Sequence, residues 1–502
     1  VSRPVRPRHL VAYGLTDMLG SGAMAVVGGW ILFFYTTFCG LTATQAASIF
    51  AIARVLDAVA SPLIGHLSDG LRSTRLGRRF GRRRVFLLLG LPLLPSFTLM
   101  WVPGQDYFYY LLTYVFFELV YASILIPYET LAAEMTDDYR TRARFAGARI
   151  LVGQVAAIMA GILPKWIVDG LGRESADTFL YMGMIFSALF VLSVGATWAL
   201  SWERPPSAAT EASRTSNPLR SLLPNLVSTL KVRAFRLHLA LYLGGYTAID
   251  LFTAVFTYFV VFALSGSVAI ASAMLALMAG AQFVGVAAFT PLTVRLHPGP
   301  AWRLAAVLYA VGILALGACW FAGGPTAAAL AYVAVGLCGL GRGGLIYIPW
   351  NTYNYIADVD EIMTGRRREG IFAGVMTLVR KTVQAGAVMV TGAALDAGGF
   401  VAGATAQGSG AVATIVGLLT LAPLALLVVG AVASYRFALN RDTHAVLMRE
   451  IERARAGATA PEDADAGRIV EALTGQPYAR LWGRGGSSRP TTPSLLVPGG
   501  SR

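Results

Sequence analysis

A short set of ionisable residues interrupts otherwise apolar runs: Asp17, Arg54, Asp57, Glu118, Glu129, Arg149, Asp250, Arg342, Arg380 and Lys381. At bilayer depth each costs at least about 2.5–3.5 kcal/mol, so each must pair, face a cavity or lie near a boundary. Arg54, Asp57 and Ser61 share one helical face, because residues three and four apart are neighbours. That face reads either as a self-neutralised pair or as a cation or proton site, since a lone intramembrane carboxylate takes up a proton more cheaply than it stays charged. Glu118 and Glu129, about 1100° apart around a helix, also share a face. Glu129 lies just beyond Pro127, whose kink frees backbone carbonyls beside the carboxylate. Arg149, Arg380 and Lys381 bring positive charge, although Arg149, near a helix start, is also placed to snorkel to the surface. Trp350, Asn351, Tyr353 and Asn354 add stacking and hydrogen-bonding groups of the kind that grip sugar rings.

Other chemistries find little support. Gly339-Leu340-Gly341-Arg342-Gly343-Gly344 has the spacing of a dinucleotide loop, yet it lies within an apolar run with no strand before it and no ribose-binding acid after it, so close helix packing explains it better. The histidines His9, His66, His238, His297 and His444 have no zinc spacing, and Cys39, Cys319 and Cys338 lie in apolar runs, so no metal site, cofactor or disulfide framework is expected. No Ser/His/Asp arrangement appears, which leaves a membrane enzyme as a remote alternative.

The elements that must hold these charges are membrane helices. The 502 residues are 56% apolar and 14% charged, against roughly 25% charge in soluble domains. Apolar runs bounded by charges predict twelve helices, at 11–38, 42–69, 85–103, 107–134, 146–169, 177–201, 237–264, 268–294, 302–322, 325–357, 371–396 and 410–437. The first run is long enough to span and is read as a helix rather than a cleaved signal. Arginines crowd alternate connections: Arg72, Arg75, Arg78, Arg79, Arg82, Arg83 and Arg84 after the second span, and Arg366, Arg367 and Arg368 after the tenth. The positive-inside rule therefore puts both termini in the cytoplasm and explains most of the net charge of +14 without nucleic acid. A polar linker, 202–236, separates two halves, 1–201 and 237–437, and a tail, 438–502, follows, with a charged helix over Arg441–Arg455 and a disordered end. Three internal echoes support two parallel repeats: Ile126-Pro127-Tyr128-Glu129-Thr130 with Ile348-Pro349-Trp350-Asn351-Thr352, Phe145-Ala146-Gly147 with Phe372-Ala373-Gly374, and Tyr13/Asp17 with Tyr246/Asp250. The expected fold is all-α, twelve transmembrane helices in two pseudo-symmetric six-helix halves.

Tyr13-Gly14, Arg54-Val55-Leu56-Asp57-Ala58 with Pro62, Gly65 and Asp69, Gly81-Arg82-Arg83-Arg84, Ile126-Pro127-Tyr128 and Gly365-Arg366-Arg367-Arg368-Glu369-Gly370 together resemble the glycoside-pentoside-hexuronide:cation symporters of the major facilitator superfamily, the family of the melibiose carrier. The resemblance covers roughly residues 10–440, and Ile126–Asp138 and Ile348–Gly374 are also similar to its oligogalacturonide branch. It implies rocker-switch symport of a small sugar with a monovalent cation, in the inner membrane of a bacterium, by a monomer. The family's second-helix cation acid falls on Asp57, but the Asn-Asp completing the sodium site falls on Ala60 and Ser61. The fourth-helix acid falls on Leu125, Glu129 replaces an aromatic of the sugar pocket, and the first-helix acid falls near Ser21 rather than on Asp17. Arg149 and Lys381 match the sugar-site arginine and the cation-linked lysine. With two acids gone and both bases kept, the expected substrate is an acidic sugar or uronide oligosaccharide. Its carboxylate is expected to meet Arg149 and Lys381. The expected substrate set is Asp17, Ser21, Glu129, Arg149, Trp350, Asn351, Asn354 and Lys381. Asp57, Ser61, Glu129 and Lys381 would serve coupling, by a proton rather than sodium. Asp69, Arg78, Arg82, Asp137, Asp358 and Asp360 would brace the cytoplasmic gate. Sodium-coupled symport of a neutral glycoside and lysolipid carriage on the same fold are the alternatives.

Overall fold

The computed structural model describes residues 5–71, 74–136, 138–203, 226–365 and 368–482, and among these there is no β-strand. Twelve helical elements form the body: α1 (Pro7–Thr37), α2 (Ala43–Gly70), α3 (Arg84–Leu99), α4 (Tyr107–Met135), α5 (Tyr139–Leu171), α6 (Ala176–Leu200), α7 (Arg233–Ala263), α8 (Val268–Leu296), α9 (Pro298–Ala322), α10 (Gly324–Tyr353), α11 (Glu369–Ala397) and α12 (Ser409–Arg436). Among the described residues ten of them are long and apolar enough to cross a membrane unaided; α3 and α11 depart for separate reasons. Pro92 and Pro95 break α3 into short turns, since proline removes a donor and clashes with the preceding turn. α11 is 29 residues long but carries Arg380, Lys381 and Asp396, so its apolarity falls where its chemistry begins.

Local signals set the ends. Thr42 and Gln45 form a capping box at α2, Asp106 caps α4, Asp138 caps α5 and Ser267 caps α8. The Asp138 carboxylate accepts from both the hydroxyl and the amide of Thr141, which holds its carboxyl below the usual range. Gly172 ends α5 in the left-handed conformation that glycine adopts without strain.

Packing repeats between the halves. α1 lies on α5 and α6 as α7 lies on α11 and α12; α2 lies on α4 as α8 lies on α10; α3 meets α4 and α6 as α9 meets α10 and α12. Deviations from regular helix repeat as well: α1 and α7 contain π turns, α2 and α8 contain Pro62 and Pro291, and α4 and α10 contain Pro127 and Pro349. The glycine run of α10 does pack against neighbours: a Cβ on Gly339 would meet the Met278 carbonyl of α8 at 2.5 Å, and one on Gly341 the Tyr309 nitrogen of α9 at 2.5 Å.

The halves meet through α2 with α11, α5 with α8, and α1 with α7. Polar contacts between them gather at the end opposite the arginine-rich connections. Tyr258 and Thr36 share a hydroxyl contact of 2.7 Å, Thr257 donates to the Gly29 carbonyl at 3.1 Å, and Asp396 of α11 accepts from the first amides of α2, Ala43 and Thr44, at 2.9 and 2.8 Å. Ser272 of α8 donates to the Gly161 carbonyl of α5, where a Cβ would meet the Ala276 nitrogen at 2.5 Å. At the arginine-rich end, by contrast, Glu129 and Trp350 are about half exposed although each is bonded to an inward-facing partner. The halves are therefore tied together at one end, while at the other these two side chains stay half exposed.

Beyond α12, α13 (Arg441–Arg455) and α14 (Ala464–Thr474) fold back on the short helix Ile356–Thr364 that connects α10 to α11. Leu447, Ile451, Val470 and Leu473 are buried there, and Trp482 donates its backbone amide to the Ile362 carbonyl at 2.8 Å. The charged helix expected over Arg441–Arg455 thus belongs to an ordered cap extending to Trp482, while the end expected to be disordered, from 483 on, lies outside the described residues.

Candidate functional site

Asp17 stands at the head of the π turn Met18–Gly22, a wound-in extra residue that re-aims side chains. Its Oδ2 accepts from Ser21 at 2.6 Å, and its Oδ1 meets Arg149 Nε of α5 at 2.9 Å. Space for the carboxylate exists because α5 presents Gly153, where a Cβ would clash with Asp17 Oδ2 and Ser21 Oγ. The Nη2 of the same guanidinium donates to Glu129 Oε1 of α4 at 2.9 Å, and the cation lies over the Tyr128 ring at 5.5 Å. Tyr128 donates to the Tyr13 carbonyl at 2.7 Å, tying α4 to α1 beneath the cluster. Asp17 is 5% exposed, Arg149 31% and Glu129 53%, so the chain of charges runs from the interior into open space. Asp17, Ser21, Glu129 and Arg149 are therefore brought together.

A second cluster joins the halves. Asp57 of α2 meets Lys381 Nζ of α11 at 2.6 Å, and Ser61 links both, donating to Asp57 Oδ1 at 3.1 Å and accepting from Lys381 at 2.9 Å. Arg54 stands farther off, 3.8 Å from Asp57 and 3.4 Å from Glu118, with all three nearly fully buried. Helical spacing anticipates a pair of Arg54 with Asp57; the lysine from the other half is the closer partner. Glu118, expected on the same helical face as Glu129, finds its counterion in Arg54.

In the C-terminal half the echo of Tyr13 and Asp17 acquires its own arginine. Asp250 of α7 meets Arg380 of α11 at 2.5 Å, and Arg380 lies over the Tyr246 ring at 5.1 Å. Trp350 donates its indole N–H to the Tyr246 hydroxyl at 2.8 Å, completing an aromatic wall with Tyr242. Asn351 does not join this wall. It lines a separate cavity of ≈180 Å³ with His297, Asn440 and His444. Asn354 turns its amide back to the Trp350 and Asn351 carbonyls and closes its own helix.

The surplus of positive charge expected from two missing acids is offset by acids at neighbouring positions. Arg149 is met by two carboxylates and Lys381 by one. The gate residues are also arranged differently from expectation. Arg82 pairs with Glu134 at 2.5 Å, and Glu203 accepts from the backbone amides of Arg82, Arg83 and Arg84 at 3.0, 2.8 and 2.8 Å. Asp358 meets His444 of the tail at 2.8 Å. Asp360 holds Arg368 at 2.5 Å and by those hydrogen bonds raises the guanidinium above its usual range. Arg78 sits in the last turn of the helix Arg75–Phe80; Asp137 and the side chain of Asp69 lie outside the described residues. Glu203 and Glu134 escaped sequence reasoning because their arginine partners lie on other elements; a Gly81 at φ 90, beside which Glu203 sits, is a faint signal for a built turn.

Two repeated six-helix halves with clusters of paired charges inside them and between them define a transporter of the major facilitator fold. The chain belongs to the MFS/sugar transport protein family, whose model matches residues 12–441. It is similar to an uncharacterized symporter of Synechocystis sp., 25% identical over 481 residues covering 78% of this chain and 86% of the relative. It is also similar to the glucuronide carrier protein homolog of Escherichia coli K12, 25% identical over 420 residues and covering 79% and 84%. The bacterial homologue of the human lysosomal transporter Spinster superposes with a TM-score of 0.62 at 14% identity, covering 88% of this chain and 99% of that one. The D-xylose-proton symporter does so with 0.60 at 13% identity, covering 86% and 96%.

Proposed function

We propose that the protein is a symporter that couples proton movement to sugar transport by alternating access, with an acidic sugar or uronide oligosaccharide as the favoured substrate. One observation carries the coupling: Asp57 and Lys381 meet at 2.6 Å across the two halves. Protonating Asp57 removes the attraction that ties α2 to α11, so taking up the ion and loosening the halves become one event. Sodium would have to displace an ammonium group and find several oxygen ligands, and here Ala60 supplies none and Ser61 one hydroxyl. At the other cluster, a proton on the half-exposed Glu129 would release one edge of Arg149 to donate to the sugar, while Asp17 stays to orient it. A relative named as a glucuronide carrier homolog supports the choice of a uronide.

The arginine-rich end is the cytoplasmic one in this reading, so the exposed side of the Glu129 cluster faces the cytoplasm and both termini lie there. The chain would act as a monomer in a bacterial inner membrane, with no cofactor. A neutral glycoside driven by sodium is the second reading, favoured by Asp17 and Glu129, which accept from sugar hydroxyls whatever the charge of the ring. Uptake of labelled galacturonides and of a neutral galactoside into proteoliposomes, each under an imposed proton or sodium gradient, separates the two. Proton-driven galacturonide uptake is expected; sodium-driven uptake of the neutral sugar alone would overturn the proposal.

A further inference from the structure

The two halves do not balance their charges in the same way. In the N-terminal half two carboxylates, Asp17 and Glu129, share the guanidinium of Arg149. In the C-terminal half the ratio is reversed, because Asp250 is the carboxylate whose charge reaches both Arg380 and Arg342. Arg380 holds the ion pair. Arg342, partly buried on α10, reaches α7 one turn deeper, donating from Nη1 to the Thr253 hydroxyl at 3.2 Å. Its Nε is buried without a hydrogen-bond partner among the described residues. An unused charged donor in a low-dielectric interior bears its desolvation cost with no return, and an incoming anion relieves it. Tyr246, Asp250 and Thr253 lie along one stripe of α7, so this surplus charge borders the wall of Tyr246 and Trp350. Aromatic faces beside a guanidinium whose Nε has no hydrogen-bond partner among the described residues suit a ring that carries a carboxylate.

We propose that Arg342, assisted by Arg380, receives the acid group of the substrate. A uronide then bridges the halves, with its hydroxyls on Asp17 and Glu129 and its carboxylate on α10 and α11. Arg149 and Lys381 remain with their own carboxylates or donate to hydroxyls. This inference rests on the acidic-sugar reading above and names the residue that selects the acid. The test compares phenyl glucuronide with its uncharged methyl ester in proteoliposomes of the full chain, for wild type, Arg342→Gln, Arg342→Lys and Asp250→Asn, each first checked for a monodisperse, cooperatively unfolding protein. Wild type is expected to favour the acid over the ester in kcat/KM. Arg342→Gln should cut that preference by at least about tenfold, the scale of one charge-assisted hydrogen bond, and Arg342→Lys should restore part of it. Asp250→Asn, which removes the competing carboxylate, should raise the preference, an independent check if Arg342→Gln fails to fold. A wild type that prefers the acid, with Arg342→Gln or Asp250→Asn leaving the preference where it was, overturns this inference alone. A wild type that does not prefer the acid overturns the acidic-sugar reading and this inference with it.

Discussion

Asp57 and Glu129 are both carboxylates in reach of a basic side chain, yet their surroundings differ in a way that suits them to the different roles proposed above. Asp57 is buried and held by a lysine of the opposite half, whereas Glu129 is half exposed and held by an arginine of its own half. Asp57→Asn, which imitates the protonated acid permanently, should reduce accumulation against a gradient by at least about tenfold, the cost of one lost buried charge partner, while leaving counterflow exchange running. Glu129→Gln should keep accumulation and shift KM instead. Transport assays under a pH gradient and under exchange conditions check both, and a reversal would move coupling to Glu129. The sequence exposed these carboxylates because a charge inside an apolar run is conspicuous at any position. It reached their partners only through the family resemblance, which groups Lys381 with Asp57 and Arg149 with Glu129: Lys381 lies on another helix and in the other half, and no periodicity relates it to Asp57. For the same reason Asp250 could be matched to Asp17 by its tyrosine, while the arginine that neutralises it could not.

The helices themselves were largely legible, because apolar length and polar connections are one-dimensional properties. The exceptions are instructive. α3 is broken by two prolines within a run whose composition still reads as a span, and the cap formed by α13 and α14 brackets a stretch rich in alanine, glycine and proline that composition alone assigns to a loose tail. Its stability comes from tertiary burial, which a local window does not see. The tie between halves also depends on individual helix ends. Asp396 serves as a cap for α2 supplied by a different helix, so Asp396→Ala removes two hydrogen bonds from helix-terminal amides and costs the tied state about 0.5–2 kcal/mol, the usual value of a cap. The expected outcome is faster labelling of a cysteine introduced at Ser272 by a thiol reagent added from the side of the tied end, with the helical content unchanged by circular dichroism.

The whole molecule is two copies of one arrangement that have kept their packing and diverged in charge. The orientation proposed above rests on its arginines: a green fluorescent protein fused after Arg502 should fluoresce in cells and an alkaline phosphatase fused there should be inactive, the reverse result inverting the proposed sidedness. The pairing of Asp57 with Lys381 has an electrical consequence. In the mechanism proposed above, an empty carrier whose Asp57 holds the Lys381 ammonium is neutral at that site, so the site adds no voltage dependence to the return step. With one proton aboard the site gains a positive charge, worth about 2.3 kcal/mol for each 100 mV it crosses. A neutral sugar would therefore travel as a current drawn inward by a negative interior, whereas a singly charged uronide would cancel the proton and cross silently, and a recording electrode would read the charge of the cargo before any chemistry identified it.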